Sequence, residues 1–405
     1  MELWLAFGYY YFSLITIPEK ELGAGAPDMK KESDMSNTIF KKVSLNNLSV
    51  KIIGPVLVFS LTLSLNSLLG AQSLNFPARN WGLSFGNSKN FSGLRFNFRD
   101  RNVQRINGLN FTLWKPYPDN KESKIIGISL GVLPGASELT GINLGLLGAG
   151  AEKTAVGLNL GLLGTGSGRN IYGINIGGVG VGAGGNLTGV NIGGLGVGAG
   201  ENLTGINLAG LGLGAGNNLI GLNLAGLGLG AGENLTGLSL AVGGLGAGNN
   251  LTGLSIAGLG AGAGEKIKGL VLAGLGVGAR ETIEGLVIAG LGVGTGEKIV
   301  GMVISGIGCG SVRVKGLMIA GFATGGKELT GIFLAGGTVR LVKEGQLTGL
   351  SLSSFNYLQG NLRGVSLGLV NYAWKVERGF QLGIINIIRQ NRPGLRILPV
   401  FNTSW

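Results

Sequence analysis

The chain has 405 residues and a formal charge of +12; 82 residues are glycine, 44% are apolar, 13% are charged, one is cysteine and none is histidine. Glycine at this level without a Gly-X-Y period excludes collagen, and the apolar content excludes an ordinary disordered linker, which is poor in groups that can be buried. The missing histidine removes the commonest general base and zinc ligand, and a lone Cys309 has no partner for an intramolecular disulfide or a thiolate metal cluster.

In chain order, residues 1–50 read as an upstream extension and a signal n-region, and 51–73 as the apolar part of a secretory signal peptide. Lys41, Lys42 and Lys51 precede an apolar run from Ile52 to Leu69, which leads into Gly70-Ala71-Gln72-Ser73. A positive n-region, an apolar stretch and a small-x-small exit are the three parts of such a signal, with cleavage expected before Leu74. The alternative is a single membrane anchor, since the run is near the lower length for spanning. A second apolar stretch, Leu3 to Ile17, precedes Met29 and Met35, so residues 1–28 are read as an over-extended start. Residues 74–140 are expected to form an N-terminal cap with irregular repeats. Echoes of the repeat occur at Gly93, Gly108 and Gly127, and bulky aromatics from Trp81 to Trp114 suit the closing of an open stack.

The regular repeats fill residues 141–316. The first glycine of a Gly-apolar-x-[Leu/Ile] core recurs from Gly141 to Gly301 in ten successive steps of sixteen residues, a specific signature of a repeat architecture. In the unit Leu203 to Asn218, apolar residues alternate at Ile206 and Leu208 and again at Leu211, Leu213 and Ala215. Period two means strand, and the slip of phase puts a corner at Ala209-Gly210, with a second at Asn217-Asn218. A helix is excluded by glycine, at about 1 kcal/mol each relative to alanine. The fold class expected is all-β: a sixteen-residue-period β-solenoid with aromatic-rich caps, each coil of two six-residue strands lying parallel on the last. The alternative is an antiparallel β-meander or outer-membrane β-barrel, which the aromatic Phe401 and Trp405 near the C-terminus keep open. Against it, Ala-Gly is a poor hairpin turn, and spanning strands need about 9–11 residues.

On the solenoid reading Ile206, Leu208, Leu211, Leu213 and Ala215 point inward. Each buried aliphatic contributes about 1.5–3 kcal/mol, against roughly 1–2 kcal/mol to order each residue, so one coil cannot hold and only a stack can. Asn143, Asn159, Asn175, Asn191, Asn207 and Asn223 share one repeat position and are expected to form an amide ladder. That position passes to Ser239 and Ser255 and then to Val271, Val287 and Val303, which predicts a face turning from polar to apolar toward a contact.

Residues 317–405 read as irregular repeats and a C-terminal cap. Tyr357, Tyr372, Trp374 and Phe380 form a candidate contact surface there. Residues 302–405 hold eleven Lys/Arg and three Glu, a balance of +8, scattered singly and without a nucleic-acid motif. That is a solvated cap, and no nucleic-acid partner is expected.

Chemistry is sparse. Aspartate occurs only at 28, 34, 100 and 119, which excludes Asp-bearing calcium coils. Strings such as Gly226-Leu227-Gly228 lack the helix and Lys-Ser/Thr pair of a phosphate loop. Asn186, Asn202, Asn234 and Asn250 each open Asn-Leu-Thr, a glycosylation sequon by pattern. Cys309 stands where other coils carry Val or Leu and reads as a small buried hydrophobe. No catalytic residue, metal site or cofactor is expected.

The pattern Gly-Leu-Asn-Leu-Ala/Gly-Gly-Leu-Gly-Val-Gly-Ala-Gly, with the closing segments Arg363 to Ala373 and Gly394 to Asn402, resembles a family of bacterial glycine-rich surface-repeat proteins of leptospiral and Bacteroidetes type. The resemblance covers residues 80–405 and implies an exported, envelope-associated protein with no catalytic residues to carry over. The function expected is a structural or adhesive scaffold at the cell surface or outer membrane, with an envelope or host surface ligand as partner and membrane association within its range. An outer-membrane barrel or pore is the alternative.

Overall fold

A computed structural model describes residues 73–118 and 120–404; the signal and start-site readings, and Trp405, fall outside them. The described chain is an all-β solenoid of about 18 turns with a period of roughly sixteen residues. One coil shows the plan: a longer strand, Leu203–Ala209, then a shorter one, Gly212–Ala215. Leu203 pairs in parallel with Leu219, Asn207 with Asn223 and Gly212 with Gly228, so every residue stacks on its own equivalent one period away. An exact sequence repeat needs this arrangement, because parallel stacking is the one that puts like on like in every column. The barrel alternative is not favoured, since successive coils run in the same direction. Antiparallel pairs close the two ends: Ser73–Ala78 on Trp81–Gly86, and Ile397–Thr403 on Val370–Ile388.

The strands are unequal, seven or eight residues and four, where six and six are expected. A third corner explains the difference. Gly205 has φ +118° and recurs in every coil; a Cβ there would collide with the carbonyl of Gly189 in the coil before. With the turns at Gly210-Leu211 and Gly216-Asn217, each coil has three straight arms.

The faces of the arms also differ from expectation. Leu213 and Ala215 do point inward, but Ile206 and Leu211 are 42% and 46% exposed and Leu208 is only partly covered. The interior is filled instead by Leu203, Asn207, Leu213 and Ala215, with Ala209 packed against them. Alternation along a strand identifies two faces without saying which is inside. Here the interior accepts the asparagine because a neighbour one coil away satisfies its amide, and the larger aliphatics are left outside.

Candidate functional site

The six asparagines of the ladder lie in the interior, almost fully buried. Asn143 Nδ2 donates to Asn159 Oδ1 at 2.7 Å, and the pattern continues at 2.7–2.8 Å to Asn223, whose amide reaches Ser239 Oγ at 3.4 Å. Val271, Val287 and Val303 continue the same column inside the protein. The change from polar to apolar is therefore a change of core composition. It does not lead to a contact face.

Two further ladders were not read from the sequence. Asn186, Asn202, Asn218, Asn234 and Asn250 each donate Nδ2 to the asparagine one coil earlier, at 2.8–3.2 Å, beginning on Asn170. This ladder is half-buried, and its donors point the opposite way along the axis from those of the interior ladder. The sequon nitrogens are thus already engaged. Their signal was the constant sixteen-residue spacing, masked by reading Asn-Leu-Thr as a modification pattern. Near the C-terminus Asn356 donates to Asn371 at 2.7 Å and Asn371 to Asn386 at 2.8 Å. At the other end, Arg95 is buried against Asp100 at 2.7 Å and the Asn110 Oδ1 at 2.6 Å, and Asp100 also accepts from Asn97 and Thr112.

Outside, the three arms have three chemistries. The first arm, Asn202 to Thr204, and the corner before it carry the charge. From Gly141 to Val339 every Lys, Arg and Glu sits there, as Glu201, Glu233 and Lys268 do. The third arm shows bare backbone at Gly212 and Gly214. The second arm and the corner after it form three aliphatic rows, exemplified by Ile206, Leu208 and Leu211. Along this face runs an apolar groove of about 570 Å³, floored by Ala209-Gly210 and Ala225-Gly226 and walled by Leu208, Leu224 and Leu240.

The candidate aromatic surface divides. Tyr357 and Tyr372 pack as a tilted pair with ring centroids 5.2 Å apart, and Phe355 stacks on Tyr357 at 5.6 Å, in the columns where the middle coils carry glycine. Trp374 is at the next corner and exposed, whereas Phe380 belongs to the aliphatic face and packs as a tilted pair with Phe401 at 5.7 Å. The four do not form one surface. On the adjoining edge, a 2.6 Å hydrogen bond from Arg363 holds the Glu377 carboxyl below its ordinary value.

Cys309 is buried, and burial pushes its thiol up to about 11 against a weaker opposing hydrogen bond with Ser305. Such a thiol stays protonated at neutral pH and is a poor nucleophile. Among the described residues no group of three His, Cys, Asp or Glu is placed to hold a metal ion. Comparison with family models, with characterised proteins and with solved structures finds no match to this chain.

Proposed function

We propose that the chain is a non-catalytic, exported scaffold of the bacterial cell envelope, structural or adhesive in role. The observation that carries the reading is a long stack with segregated outer chemistries, in which a continuous aliphatic face stands apart from a charged edge. A soluble monomer rarely leaves contiguous apolar patches larger than a few hundred Å² open to water, and larger ones mark interaction sites. Export is supported by the signal-like segment at 51–73, and an envelope setting by the resemblance of the repeats to bacterial surface-repeat proteins. An adhesive role would draw on the end that carries the half-buried Tyr357 and Tyr372 and the exposed Trp374 to meet an envelope or host ligand.

Cell fractionation tests this. The chain is expected in the envelope fraction, cleaved before Leu74, released by alkaline carbonate and showing no heat-modifiable migration on gels. Recovery of the uncleaved chain in the cytoplasm overturns the reading. Resistance to carbonate with heat-modifiable migration returns it to a barrel.

A further inference from the structure

The aliphatic face has a shape as well as a chemistry. A ridge of Leu195, Leu211 and Leu227, each about half exposed or more, flanks the apolar groove whose floor is Gly194, Gly210 and Gly226. Ridge and groove lie side by side and share one pitch, about 4.8 Å per coil. We propose that this face binds a second copy of the same chain, giving a two-fold dimer of rods packed side by side. A two-fold axis lying in the interface, parallel to the rods and between ridge and groove, sets the ridge of each copy in the groove of the other, the self-complementarity that an isologous interface requires. Because both surfaces have the same repeat, each ridge leucine of one copy lies over the corner glycine of the equivalent coil in its partner.

Size agrees. Ten steps of 4.8 Å by about five residues of 3.3 Å give a face of roughly 50 by 17 Å, about 800 Å². A standard stable interface buries about that area on each partner. End-to-end growth is disfavoured by the antiparallel strands Ser73–Ala78 and Ile397–Thr403, which cover the ends of the stack and leave the lateral face.

A bilayer fits this face less well. Faces that dock on membranes carry Trp, Tyr, Lys or Arg at their rim. Between 141 and 301 the single aromatic, Tyr172, and all the cations sit at the polar edge, away from the aliphatic rows.

Among the coils that begin at Gly173 to Gly301, one breaks the repeat on this face. Val242, 72% exposed, stands where those coils otherwise have the corner glycine, and Gly243 takes the place of the ridge aliphatic; Leu146 and Leu162 fill the same corner in the two coils before Gly173. The groove ends against Val242. In a uniform array two copies could slide by one coil at no cost; this stop gives the dimer a single register.

The test is sedimentation equilibrium on the purified chain from Leu74 onward, alone and with phosphatidylcholine–phosphatidylglycerol vesicles, beside a Leu211→Glu/Leu227→Glu variant. The expected result is a wild-type mass of twice that of one chain, and a variant with an unchanged far-UV spectrum and a dimer dissociation constant raised ~100-fold or more by the buried charge. Should the acidic pair unfold the chain, Leu211→Asn/Leu227→Asn decides, with weaker pairing expected. A wild-type monomer overturns the proposal, as does a dimer indifferent to both pairs. So does a monomer that floats with the vesicles, which would give the face to lipid. The outcome is independent of where the chain resides, so the envelope reading stands or falls separately.

Discussion

At the scale of single residues, glycine has distinct physical reasons at different places in one coil. Gly205 is conformational: φ +118° is closed to L side chains, and a Cβ there would strike the backbone of the coil before. Gly214 is different, since nothing lies within 4 Å of where its Cβ would be. Gly205→Ala is therefore expected to destabilise the chain by at least ~3 kcal/mol through strain and a broken ladder. Gly214→Ala is expected to stabilise it by ~0.4–1 kcal/mol, because alanine loses less backbone freedom on folding. Urea unfolding of the two variants checks both; equal effects would show that backbone geometry does not set the glycine pattern.

At the scale of the element, the interior ladder has a cost structure that a single substitution exposes. Replacing Asn207 leaves the Asn191 amide without its acceptor and the Asn223 oxygen without its donor. A buried polar group left unpaired costs ~1–3 kcal/mol, whereas replacing all partners together is nearly neutral. Asn207→Val should thus cost more than its share of a six-fold asparagine-to-valine replacement, a column that Val271 and Val287 already show to be packable. Asn207→Asp adds a pH signature. A buried carboxyl has its folded pKa raised above the unfolded value of about 3.9, so the variant is nearest the wild type in acid, where its neutral form rejoins the ladder. It loses stability as pH rises above that unfolded value, by ~3–5 kcal/mol at neutrality. Melting temperatures at pH 4 and pH 7 measure it, and a variant equally stable at both would place the side chain in water.

This ladder also shows where sequence reading ends. Sixteen-residue spacing dictated that Asn191, Asn207 and Asn223 must stack, and parallel register followed from it. Nothing in the spacing says on which side they stack. Hydropathy favours Ile206 and Leu208 for the interior, and the decision goes the other way because a repeated amide supplies its own partner. The corner at Gly205 was hidden for a related reason: a positive φ leaves no mark in composition when the same coil holds several other glycines of ordinary φ, such as Gly212 and Gly214. The three outer chemistries became visible only once the arms were assigned to faces.

At the scale of the whole molecule, stability is nearly one-dimensional: each coil touches the two beside it, and the total approximates a sum of coils and interfaces. Deleting residues 219–234 removes one full period and joins Asn218 to Leu235, the same residue type it met before. Every column is restored: the Leu203 column continues into Leu235, and Asn207 meets Ser239 as Asn223 does. One coil and one interface are lost out of about 18 turns, so the melting temperature should fall by no more than ~4 °C with the transition still cooperative. Deleting residues 219–226 instead joins Asn218 to the corner residue Leu227, bringing the glycine arm Gly228–Ala231 over the arm that begins at Leu203. Side chains then meet the wrong neighbours in every column, and the bent glycine loses its place over Gly205. That variant should lose its cooperative transition, as read by near-ultraviolet dichroism and differential calorimetry. Equal tolerance of both deletions would mean that the coils are held by something other than like stacking on like.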